Sequence, residues 1–191
     1  MKLTALFEKH ALLVLMLIAC FWALAFQGSR GILEPDEGRY SNVALQILQH
    51  NDWVSLYRNQ ESLHFTKPPL TYWLIASSVS VFGYNEWAVR FPAALAFIFS
   101  VYLVFQLGKV FVPKRPWLPA LFFLSSPVTF FASNTVNTDT VLATMLTLAV
   151  TCYVQARFAG KNNYWLDAMW LAFGLAFLTK GPPALLPLLV I

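Results

Sequence analysis

The chain has 191 residues, 58% of them hydrophobic and only 12% charged, against about 25% charged in an ordinary soluble domain. So little polar surface cannot cover a water-facing globule. The formal net charge of +4 is scattered between apolar runs, which argues loop orientation in a membrane rather than nucleic-acid binding.

In chain order, the first charge-free run, Ala11 to Gln27, predicts a span over about 11–27. A spanning helix needs about 20 mostly apolar residues. Lys2 and Lys9 precede it as in a signal peptide, and Leu17-Ile18-Ala19-Cys20 resembles a lipoprotein processing site. The sequence stays apolar after Cys20, however, so an uncleaved first span is expected. Residues 28–87 follow as a long loop. Within it, Tyr40, Val43, Ala44, Ile47 and Leu48 recur at helical spacing and Asn51 closes the pattern, which predicts an amphipathic helix over about 35–50. Leu70 to Gly83 is charge-free but short and rich in hydroxyls. A surface-lying helix over about 68–83 suits it better than a span. Further spans are expected over 88–108, 116–134, 140–157 and 164–180. A sixth apolar run begins after Gly181 and reaches residue 191, so the sequence reads as the N-terminal part of a longer membrane domain, with a C-terminal remainder beyond it. The fold class is therefore all-α and polytopic, with interfacial helices in the first external loop.

Orientation follows from the charges. With Lys2 and Lys9 in the cytoplasm, Lys109, Lys114 and Arg115 mark one inner loop and Arg157 and Lys161 the next, as the positive-inside rule requires. The polar segments EPDEGRY (34–40), HFTKPP (64–69), NTDT (137–140) and TKGPP (179–183) then share the outer face.

Each segment has a plain reading beside a chemical one. Pro35 with Asp36 and Glu37 makes a good helix start, yet carboxylates at a membrane-helix exit also serve as general bases or cation ligands. Lys67 and Lys180 either snorkel to water beside proline-initiated helices or neutralise a lipid phosphate. Asp139 either caps a helix or is a polar group placed for use. Cys20 and Cys152 lie inside apolar runs, and His10, His50 and His64 are isolated, so no metal-ligand spacing exists. There is no glycine-rich nucleotide loop.

Taken in order, EPDEGRY, NDW, FTKPPLTYW, FGYNEWAVR, NTDT and LTKGPPAL resemble the bacterial aminoarabinose transferases that act on lipid A and their relatives the protein O-mannosyltransferases, polytopic glycosyltransferases of the GT-C fold. The resemblance runs from about Leu33 to Leu186. It implies an inverting transfer of a sugar from a polyprenyl phosphate to a glycolipid such as lipid A, or to a protein, at the outer face of a bacterial inner membrane. It places Asp36 as the base, with Glu37 beside it and Asp139 as the second acidic position. Lys67, Lys180, Arg39 and Tyr40 become the residues facing the carrier phosphate. No cofactor is required, and a divalent metal is compatible with the acidic pair but not indicated. Membrane lipids are the remaining partners, with no nucleic acid. The chain has NTDT where the aminoarabinose enzymes commonly have LDP, and FTKP where they have FEKP, which leaves sugar and acceptor open. A transporter or flippase, and a non-catalytic membrane assembly protein, are the alternatives.

Overall fold

A computed structural model describes residues 2–59 and 62–189, with side chains from His10 onward. Residues 60 and 61 of the expected external loop and 190 and 191 of the sixth apolar run lie outside the described residues. Eight α-helices and one 3₁₀ helix make up the described fold: α1 Lys2–Leu24, α2 Asp36–His50, α3 Leu70–Phe82, α4 Glu86–Phe111, α5 Trp117–Ser125, α6 Pro127–Ser133, α7 Thr138–Arg157, α8 Tyr164–Lys180, then the 3₁₀ helix Pro182–Leu189. Among the described residues the only β pairing is an isolated bridge between Tyr57 and Leu63.

By length and composition α4 and α7 can cross a membrane; His10–Leu24 of α1 and α3 are shorter apolar helices. The packing is that of a membrane protein. On α1, Ala11, Leu15, Ala19 and Ala23 form one buried stripe against Ala94, Phe97, Val101 and Phe105 of α4. Leu13, Leu17 and Phe21 form an opposite stripe that is about 60% exposed. Helix α8 likewise turns Ala172 and Ala176 inward and Trp170, Leu171 and Phe177 outward. Small residues between helices and large apolar ones outside are what a lipid solvent selects. Where α4 meets α7, the Ser100 and Thr144 hydroxyls hydrogen-bond at 2.8 Å.

The apolar stretch 116–134 is two helices, not one. Pro127 starts α6 after Ser126 adopts an extended backbone, because proline breaks the ladder it would otherwise continue. Pro92 sits inside α4 without ending it. Its missing N–H leaves the Ala88 carbonyl without its usual partner, and Ser78 of α3 donates to that oxygen at 2.6 Å. Gly108 of α4 faces the Pro116 carbonyl so closely that no Cβ would fit.

Helices α2 and α3 lie against each other through Tyr40, Val43, Ala44 and Ile47 on one side and Tyr72, Ile75, Ala76 and Val79 on the other. Val89 of α4 and Val136 before α7 complete this core. It anchors the segment between α1 and α4 at the ends of α4 and α7, where the polar residues gather.

Candidate active site

The structure gathers Asp36, Glu37, Arg39, Tyr40, Lys67, Asp139 and Lys180 into two linked clusters. The first centres on Glu37, whose side chain is 4% exposed. Arg90 donates to it through Nε and Nη2, each at 3.0 Å, and Arg30 through Nη1 at 2.8 Å and Nη2 at 3.2 Å. The backbone N–H groups of Leu33 and Val136 add bonds of 2.8 and 2.9 Å. Arg90 is fully buried and uses its remaining donor capacity on the carbonyls of Gln27, Arg30 and Gly31. Burial pushes the Glu37 carboxyl up, but the two guanidiniums and two backbone amides outweigh it and hold the pKa at about 2, against a usual 4.5. One carboxylate thus pins the start of α2, the head of α4 and the turn before α7. Both of its oxygens are engaged by these donors.

The second cluster is open. Asp36, the neighbour of Glu37, points outward with its side chain 60% exposed and pairs with Arg39 one turn along. Tyr40 is buried between two cations. The Arg39 guanidinium lies 5.2 Å from its ring centre and the Lys67 ammonium 4.7 Å. Lys67 Nζ donates to the Tyr40 hydroxyl and, at 3.2 Å, to Thr138 Oγ1. Next to Thr138, Asp139 is mostly exposed and pairs with Lys180 at the end of α8. The helix cap there is not Asp139 but Asn137, whose side chain accepts from Thr140 N at 2.7 Å, so the Asp139 carboxylate is not spent on capping and engages Lys180 instead.

Lys67 and Lys180 line the same cavity of about 550 Å³, with His64, Thr66, Pro68 and Gly181. Gly181 makes this closure feasible. Its φ of +75° is open to glycine and costly for other residues, and it turns the chain so that Gly181 and Pro68 line the same cavity. Among the described residues Lys67 has no carboxylate partner, only hydroxyls, whereas Arg39, Lys180, Arg30 and Arg90 are each ion-paired. The wall of the cavity therefore carries an uncompensated positive charge.

His64 is 5% exposed. Its Nε2 lies 2.8 Å from the Tyr72 hydroxyl and 3.0 Å from Thr66 Oγ1. Burial, and then the charges of Arg39, Arg58 and Lys67, keep the imidazole below its usual pKa. Burial pushes the Tyr72 phenol well up. Among the described residues no three His, Cys, Asp or Glu side chains converge as metal ligands. Asp36, Glu37 and Asp139 are each held by a cation instead.

Arg30, Arg90 and His64 are the site residues that sequence reasoning passed over. Arg90 did leave a signal: an arginine one turn into an otherwise apolar helix, after Glu86, is a functional or paired group by default.

The described fold is that of a polytopic GT-C membrane glycosyltransferase. ArnT from Cupriavidus metallidurans superposes in its apo state with a TM-score of 0.88 at 24% identity, covering 95% of this chain and 35% of that one. The same protein bound to undecaprenyl phosphate superposes with a TM-score of 0.85, covering 93% and 34%. The chain belongs to the dolichyl-phosphate-mannose-protein mannosyltransferase family, whose sequence profile matches residues 66–191. It is 32% identical over 189 residues to an undecaprenyl phosphate-alpha-4-amino-4-deoxy-L-arabinose arabinosyl transferase 2 of Pseudomonas fluorescens, covering 96% of this chain and 34% of the relative. A protein of the same name from Proteus mirabilis is 29% identical over 185 residues, covering 92% and 33%. The chain thus spans about a third of the length of these relatives.

Proposed function

We propose that this chain carries the donor-phosphate and base residues of a membrane glycosyltransferase that moves a sugar from a polyprenyl phosphate to an acceptor outside a bacterial inner membrane. The observation that carries the reading is the cavity walled by Lys67 and Lys180, with Lys67 held by hydroxyls alone. A cation left uncompensated beside a cavity is a site for an anion, and a phosphate fits its charge. The relatives are named for an undecaprenyl phosphate donor.

In this reading Asp36 takes the acceptor proton. The acceptor oxygen attacks the anomeric carbon from the face opposite the phosphate, with inversion. The C–O bond to the phosphate breaks, and its electron pair stays on the phosphate oxygen. Lys67 and Lys180 stabilise the charge that develops there, while Tyr40 and Arg39 fix Lys67 and Asp36 relative to each other. Asp139 beside Thr138 orients sugar or acceptor. Glu37 acts through structure: locked to Arg90 and Arg30, it holds its neighbour Asp36 outward. The acceptor is a glycolipid such as lipid A or a protein. The N-terminus is cytoplasmic and residues 28–87 are external, since only that orientation puts both short basic loops inside.

The test is transfer of labelled sugar from a polyprenyl phosphate donor by the purified full-length protein, with and without Lys67→Ala. Transfer that survives this substitution with unchanged donor KM overturns the assignment of the cavity.

A further inference from the structure

The geometry points to His64 as a positioning residue of the phosphate pocket that takes up a proton when the carrier phosphate is bound. The inference rests on the reading of the Lys67–Lys180 cavity given above.

His64 belongs to the same cavity wall as the two lysines, three residues before Lys67. Its backbone N–H donates to the Leu56 carbonyl at 2.7 Å, which fixes the loop beneath α2 and α3. Two hydroxyls, from Tyr72 and Thr66, converge on one ring nitrogen. An uncharged imidazole with a bare Nε2 accepts from both; a protonated ring accepts from neither and must donate to them instead. The ring also packs edge-on against Tyr72, at 5.3 Å between centres, and Tyr72 packs on Tyr40, the residue that holds Lys67. The protonation state of His64 is therefore tied mechanically to the lysine.

The charged and titratable groups around the ring are Tyr72 on α3, Tyr40 and Arg39 on α2, Arg58 and Lys67 in the loop, and Lys180 across the cavity. Asp36 and Asp139 pair with Arg39 and Lys180, which leaves Arg58 and Lys67 as the cations without a carboxylate partner among the described residues. In the empty pocket this surplus, together with burial, keeps the ring uncharged. A bound phosphate reverses the local sign, and the imidazolium becomes the favoured form. The need grows during transfer. The donor is a phosphodiester with one negative charge; when its C–O bond breaks, the electron pair left on oxygen makes the carrier a phosphate dianion. A proton taken from solvent by His64 places a third cation beside it, and returns to solvent when the carrier leaves.

The experiment uses the purified full-length protein and a polyprenyl phosphodiester, whose charge is constant between pH 5 and 8, so any pH dependence belongs to the protein. Affinity is measured across that range for the wild type, His64→Gln and Thr66→Val. The expected result is wild-type affinity that strengthens as pH falls, by up to about tenfold per unit for one proton. His64→Gln flattens the curve. Thr66→Val removes a hydroxyl that favours the neutral ring and moves the rise to higher pH. No binding at any pH removes the phosphate pocket and with it this inference. Binding that is independent of pH in the wild type, or an unchanged slope in His64→Gln, overturns the role of His64 while leaving the pocket standing. Should His64→Gln not fold, the wild-type slope and its shift in Thr66→Val decide alone.

Discussion

Arg90 and Glu37 meet in a two-pronged pair, Nε and Nη2 each 3.0 Å from a carboxylate oxygen, with both side chains sealed from solvent. Removing one partner of such a pair leaves a buried charge uncompensated, at a cost of about 3–5 kcal/mol. Arg90→Met is expected to lower the thermal unfolding midpoint of the detergent-solubilised protein sharply. Glu37→Gln, which keeps the shape but not the charge, is expected to do the same. Unchanged midpoints in both would show that the pair does not hold the loop.

The same pair sets an acid limit. Glu37 is held at about pKa 2 in the fold against a usual 4.5. A depressed carboxylate contributes stability that is fully present above the unfolded value and fades as pH falls towards the folded one. Stability is therefore expected to decline below about pH 4.5. Glu37→Gln should remove that share of the decline, read as unfolding midpoints between pH 3 and 6.

Asp36 and Glu37 are adjacent but separable. Asp36 is largely exposed and its only ion-pair partner among the described residues is Arg39, so Asp36→Asn should leave stability within about 0.5 kcal/mol. Turnover should fall by about a hundred- to ten-thousand-fold, the usual cost of losing a general base. Sugar transfer and unfolding measured in parallel separate the two roles. Near-normal turnover in Asp36→Asn would sink its assignment as base.

For Lys67, loss of one charge-assisted hydrogen bond to phosphate should weaken donor use by about 1.5–3 kcal/mol. Lys67→Arg should restore part of it, since the charge remains while the geometry changes. The readout is donor KM in the full-length protein, with carrier binding as a check.

Orientation is open to direct labelling. Asn59→Cys should react with a membrane-impermeant thiol reagent in intact spheroplasts, and Lys161→Cys should not, each in a background lacking Cys20 and Cys152. The reverse pattern would place the loop 28–87 inside the cell.

The helical class and the residues of the open cluster were legible because each broke a simple pattern. Asp36, Lys67, Asp139 and Lys180 interrupt apolar runs or sit beside prolines, and periodicity alone marked the buried face of α2. What joins them was not legible. Arg90 and Glu37 are 53 residues apart, and their pairing depends on how α2 packs on α3 and α3 on α4. The break at Pro127 was hidden because composition stays apolar through 116–134. Asp139 read equally well as a cap until Asn137 proved to fill that position. His64 seemed isolated because its partners, Tyr72 and Thr66, are ordinary residues whose convergence on one nitrogen only the tertiary fold creates.

Lys67 is secured by hydroxyls and an aromatic face, none of which carries a countercharge. An unfilled pocket of this kind attracts whatever small anion the medium supplies. Donor binding is then an exchange of one anion for another, and its apparent strength depends on the buffer. Inorganic phosphate should compete with the lipid, whereas chloride of equal ionic strength should compete far less, because only phosphate offers several oxygens for both lysines to share.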